Sequence, residues 1–191
     1  LWLDYSFADS NFLRAGSLAK ESVEELSCPV CHGSLWQGNT LLASPNLTIL
    51  PNWYIEAQIK SYQLGWRQRA QQADISDDMA AVARDLSNNQ ILLALEVVNA
   101  LKPMRLMSSN DINDADRALG KLTYAACEAC HGRDGMGLQS LGAPPLAGQR
   151  PEYLKAQLIA FGEGSRGANS ADVFGQQMAN ALAWPMTAES L

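Results

Sequence analysis

Cys127, Glu128, Ala129, Cys130, His131 and Gly132 repeat, 99 residues on, the pattern of Cys28, Pro29, Val30, Cys31, His32 and Gly33. A C-x-x-C-H run attaches a c-type haem: two thiols add to the porphyrin vinyl groups, and the next histidine is placed to ligate the iron. All four cysteines and both histidines of the chain fall in these two runs. None remains for a disulfide, a third metal site or a second histidine ligand. The other uses of such a run are a redox dithiol or half a zinc site. Structural zinc is four-coordinate, more than one run supplies, and a dithiol has no use for the histidine. The reading is therefore two covalently bound haem c groups, on Cys28 and Cys31 and on Cys127 and Cys130, with His32 and His131 on the irons.

At 191 residues the chain is long enough for one or two domains, and the repeat decides for two. A half of under about 100 residues buries only a modest core by itself. A large apolar porphyrin is then a main core element, and its loss should unfold the half around it. The formal charge of −6 argues against a nucleic-acid partner and for an electrostatically steered basic one. No window approaches the run of about 18 apolar residues that reads as a membrane span. The chain opens on Leu1 rather than Met and has no signal-peptide pattern, so it reads as a mature or trimmed chain whose export signal is gone.

The register of the repeat extends well beyond the haem motifs. Residues 1–14, with Trp2, Tyr5, Phe7 and Phe12, form an amino-terminal extension without a counterpart. The first domain, 15–101, begins with a helix over Ala15–Leu26, whose Leu18, Ala19, Val23 and Leu26 share a face. The second, 116–191, begins with Asp116–Ala126, with Leu119, Leu122 and Ala126 on one face and Asn113 or Asp114 as the cap. Gly38, Ser44, Pro45 and Leu47 are matched at the same offset by Gly137, Ala143, Pro144 and Leu146, and both stretches read as irregular chain. A helix follows in each half, started by Pro51 and Asn52 and by Pro151, carrying Tyr54 and Gln58 against Tyr153 and Gln157. Arg67 and Arg166 come next at the same spacing. Ser87 with Gln90 makes a capping box for a third helix, apolar at Ile91, Leu92, Leu95, Val98 and Leu101. Residues 102–115 read as the linker. In the second half Thr187 sits near the matching cap and the sequence stops at Leu191, so the final helix is expected to be missing there.

With both histidines used, the sixth iron ligand must be methionine, something weaker, or nothing. Of six methionines, only Met79 and Met178 are equivalent under the 99-residue offset, each lying 47 residues after its histidine. A methionine in a small helical domain is usually core filler. The matched offset selects Met79 and Met178 as ligands of the first and second iron. A His/Met pair closes both axial positions, which suits electron transfer rather than substrate chemistry.

Taken together, these motifs resemble the class I cytochromes c, and more narrowly the tandem dihaem cytochromes of the cytochrome c4 type. The resemblance covers residues 15–191. It implies an all-α fold of two tandem domains, each wrapped around one haem c. It also implies that Pro45 and Pro144 offer main-chain carbonyls to the histidines. Tyr54, Gln58, Arg67, Tyr153, Gln157 and Arg166 would line haem edges or propionates, with ordinary helix packing as the other reading. The first half departs from the family pattern at Thr48-Ile49-Leu50, where the second has Ala147-Gly148-Gln149, and at Leu35-Trp36 in place of Asp134-Gly135. Trp36 either covers the first haem or docks a partner.

The function implied is a carrier of single electrons between a redox donor and acceptor of a respiratory chain, in the periplasm or another extracytoplasmic space. The alternatives are a cytochrome subunit of a membrane oxidase or dehydrogenase complex and an assembly module in an electron-conducting oligomer. A dihaem peroxidase needs a displaceable distal ligand, and the thiosulfate-oxidising cytochromes use a cysteine ligand that this chain lacks.

Overall fold

A computed structural model describes residues 27–67, 75–104 and 113–182, and among them the chain is helical, with isolated bridges and no named strand. The first half holds α1 (Cys28–His32), α2 (Asn52–Gln63), α3 (Ile75–Asp85) and α4 (Asn88–Ala100). The second holds α5 (Asp114–Tyr124), α6 (Glu128–His131), α7 (Pro151–Gly162) and α8 (Val173–Leu182). The expected helix over 15–26, the amino-terminal extension and the missing final helix fall outside the described residues.

Local signals account for the helix starts. The Ser87 hydroxyl accepts from the Gln90 backbone N–H while the Gln90 side chain accepts from the Ser87 N–H, the reciprocal box read from the sequence. Asn113 caps α5 by accepting from Asp116 N–H at 2.8 Å, and Pro151 occupies the first turn of α7. Helices α3 and α8, which carry Met79 and Met178, are additions to the sequence reading.

Among the described residues the largest apolar cluster lies in the first half. Trp36, Leu50, Tyr54, Ile55 and Ile59 pack with Ala83 and with Ile91, Ala94, Leu95, Val97 and Val98 of α4. Leu92, expected on that apolar face, is 58% exposed, because five other α4 positions already fill it. Helix α5 forms close to where the spacing placed it, but its apolar face is uncovered. Leu119 and Leu122 are 63% and 75% exposed, and the helix buries no residue at all. An amphipathic pattern yields burial only where another element packs on the stripe, and among the described residues the most closely packed helix pairs are α2 with α3, α7 with α8, and α2 with α4.

The two halves meet at equivalent positions. Arg67 and Arg166, counterparts in the repeat, pair with each other in an antiparallel bridge, so a local two-fold relation runs through that point.

Candidate haem sites

Each histidine is placed by a short helix and the loop after it. In the first half Gly38 N–H donates to the His32 carbonyl at 2.7 Å, and Asn39 bridges to Ser44. The second half repeats both: Gly137 N–H to the His131 carbonyl at 2.8 Å, and Leu138 bridged to Ala143. Gly38 and Gly137 sit at φ of +80° and +79°, and a Cβ at either would come within 2.6 Å of a backbone carbonyl oxygen. Only glycine closes this loop. The closure delivers a proline carbonyl to the imidazole: His32 Nδ1 lies 3.3 Å from the Pro45 oxygen and His131 Nδ1 2.9 Å from the Pro144 oxygen. A carbonyl only accepts, so Nδ1 carries the hydrogen and Nε2 is left for a metal. Burial lowers the pKa of both histidines against the opposing proline hydrogen bond, favouring the neutral imidazole that a metal requires.

Around His32 lies a cavity of about 440 Å³, lined by Cys28, Cys31, Trp36, Met79 and the α4 residues Ala94 and Val98, and closed on one side by α7 residues of the second half. A pair of thiols, an imidazole and a thioether thus converge in one apolar cavity, the donor set a covalently held haem needs. Burial pushes the Cys28 thiol up, as it does Cys127. None of the four cysteines is in a disulfide, as thioether attachment to a haem requires. Trp36, 3% exposed, covers the cavity rather than facing a partner. In the second half His131 is 5% exposed and Met178 is half-buried on α8, which packs on α7. The described contacts do not join Met178 to His131.

All six tyrosine, glutamine and arginine positions line this cavity, and they also knit the two halves together. Arg67 donates to Gln58 of its own half at 2.9 Å and to Gln157 of the other at 2.6 Å. Arg166 mirrors it, donating to Gln157 at 2.7 Å and to Gln58 at 2.8 Å, and adds the Tyr54 hydroxyl at 2.9 Å. Tyr62 and Phe161 stack under the two guanidinium groups at 4.2 and 4.4 Å. Burial pushes the Tyr54 phenol up, but the charges of Arg166 and Arg67 outweigh it and hold its pKa below the usual value. Tyr153 is raised, by burial first.

A second set of bonds across the seam was not legible as functional. Fully buried Asn46 exchanges backbone bonds with the Gln149 side chain, and its own amide donates to the carbonyls of Met104 and Gly148. Arg150 reaches back to the Gln37 carbonyl and the Thr40 hydroxyl. The available signal was that the repeat breaks at these places: Asn46 faces Pro145 under the offset, Gln149 faces Leu50, and Arg150 faces Pro51. Met104, expected in a free linker, is tied to the seam through Asn46 and Thr48.

No protein-family model matches the chain. It is 34% identical to cytochrome c-552 of Acidithiobacillus ferridurans over 148 residues, 73% of this chain and 61% of that relative, so the match spans under two thirds of its length. A thiosulfate dehydrogenase electron acceptor of Stutzerimonas stutzeri is 29% identical over 155 residues, covering 78% of this chain and 69% of that protein. The solved cytochrome c4 of Acidithiobacillus ferrooxidans superposes with a TM-score of 0.65 at 31% identity, over 85% of this chain and 92% of the other. The chain belongs to the dihaem cytochromes of the cytochrome c4 type.

As a dihaem cytochrome it carries two covalent haem c groups, and both C-x-x-C-H runs are present for them. One part of the seam of this cytochrome is its two pairs of Gln and Arg counterparts, which places polar residues of the first cavity between the halves. No helix among the described residues is long and apolar enough to cross a membrane.

Proposed function

We propose that this chain carries single electrons between redox proteins outside the cytoplasm, with one haem in each half. His32 and Met79 would hold the first iron, His131 and Met178 the second, with thioethers on Cys28, Cys31, Cys127 and Cys130. Each bound haem supplies a ferric/ferrous couple that accepts and returns one electron. The chain's own part is to close the metal. His32 with Met79 and His131 with Met178 would hold the irons, the Pro45 and Pro144 carbonyls fix the imidazoles, and the apolar walls of the first cavity would exclude water. A closed iron favours an electron carrier over a peroxidase. The observation that carries this reading is the first cavity, where Cys28, Cys31, His32 and Met79 line one apolar space.

Arg67 and Arg166, with Gln58, Gln157, Tyr54 and Tyr153, would face the propionate side of the haems, where two buried cations meet an anionic ligand. The relative named as a thiosulfate dehydrogenase electron acceptor supports a sulfur-compound dehydrogenase as donor, and a terminal oxidase is the matching acceptor. The exposed Leu119 and Leu122 favour a second reading, a cytochrome subunit docked within a larger oxidoreductase.

The ferric protein should show the near-infrared sulfur-to-iron band at the intensity of two sites. Met79→Ala and Met178→Ala should each remove about half of it. A band undiminished in either variant would refute that ligand, and steady peroxide turnover by the wild-type protein would refute the closed iron.

A further inference from the structure

The peptide bond between Pro45 and Asn46 makes two hydrogen bonds at once. Its carbonyl oxygen accepts from His32 Nδ1, and its N–H donates to Gln149 Oε1 of the other half at 2.6 Å. The orientation of the Gln149 amide is determined by its partners, because its nitrogen donates in turn to the Asn46 carbonyl at 3.1 Å. Asn46 is held in this pose by its side chain, which accepts from Thr48 N–H and hydroxyl and donates to the Met104 and Gly148 carbonyls. The second half has no equivalent. There the corresponding peptide joins Pro144 to Pro145, whose nitrogen carries no hydrogen, and the position matching Gln149 is Leu50.

We propose that His32 Nδ1–H, the Pro45–Asn46 peptide and Gln149 form a one-sided relay through which docking of the second half tunes the first haem, with Asn46 and Gln149 as positioning residues. The inference rests on the reading of His32 as an axial ligand. A peptide whose N–H is engaged is more strongly polarised, so its carbonyl accepts more strongly. A stronger bond to Nδ1–H makes the imidazole a better donor to its metal, which favours the ferric state and lowers the potential. His131, bonded to a peptide that cannot donate, is outside this control. The two sites are thereby made inequivalent by the chemistry of one peptide N–H.

The chain has two histidines, so ¹⁵N-histidine labelling of the ferrous haem-loaded protein yields two resolvable Nδ1–H signals. In Gln149→Leu, the His32 signal should move upfield and the potential of the first haem should rise, with His131 and the second haem unmoved. Asn46→Pro should act in the same direction, because Asn46 already has a φ of −71° that proline accepts. Arg150→Ala removes the side-chain bonds to the Gln37 carbonyl and the Thr40 hydroxyl while keeping its backbone N–H on Gln149 Oε1, and should leave both histidine signals in place. An unmoved His32 signal in the two relay variants, equal shifts of both histidines, or a His32 shift in Arg150→Ala would each overturn the relay. If neither imidazole shows the ring-current displacement of an iron-bound ligand, the ligand reading fails and takes the relay with it.

Discussion

The two halves share a motif, a loop closure and a helix order, yet they bury their residues differently. In the first, α4 lays Ile91, Ala94, Leu95, Val97 and Val98 onto α2 and the haem cavity. In the second, α5 buries nothing, and the buried side chains of α7 are Tyr153 and Phe161. Equivalent positions follow suit: Ile55 and Ile59 are buried, while their counterparts Leu154 and Leu158 are half-buried. At about 1.5–3 kcal/mol for each fully buried aliphatic side chain, the first half has apolar packing of its own to draw on. Among the described residues the second half buries fewer such side chains. Sequence repetition therefore keeps the motif and its loop but does not equalise the apolar burial seen among the described residues.

The strongest way to break this comparison is to remove one haem at a time. Cys127→Ala/Cys130→Ala should abolish amide hydrogen-exchange protection throughout α7 and α8. Cys28→Ala/Cys31→Ala should leave slowly exchanging amides in α2 and α4, where the apolar cluster remains. Equal collapse of both halves would show that the cluster has no stability of its own. A smaller effect is expected from truncating the counterparts Ile59 and Leu158. Ile59→Ala should lower the unfolding free energy by about 2–5 kcal/mol in denaturant titration, the range for a buried aliphatic, and Leu158→Ala by less than half of that. Similar losses would mean that the second half is packed as tightly as the first. The smallest effect belongs to Leu122→Gln on the bare face of α5, expected within about 0.5 kcal/mol as for other exposed positions. A loss above about 2 kcal/mol would show that this face is covered.

Much of the site was legible because the repeat acted as an internal control. The offset separated Met79 and Met178 from four other methionines, and Met79 lines the cavity with His32. The proline carbonyls, known only through resemblance, lie at the imidazoles. Caps and turn glycines were legible because they act within a few residues of chain. The spacing placed α5 with Leu119 and Leu122 on one face, but periodicity records what a helix can bury and not whether a neighbour arrives. Arg67, Gln58 and their counterparts were read against a haem edge, and their cross-bonding between halves was invisible because it joins residues about 90 to 110 positions apart.

The sequence by itself determined the two attachment motifs, the candidate axial ligands, the helical class and the two-fold repetition, because each depends on spacing along the chain or on local backbone chemistry. It also contained the asymmetry at Asn46 and Pro145, without revealing its use. Only the tertiary structure decided that the Pro45–Asn46 peptide faces His32 on one side and Gln149 on the other, and that the larger apolar cluster among the described residues lies in the first half. Both are settled by which surfaces meet when the halves fold against each other, and contacts of that kind leave no period in the sequence.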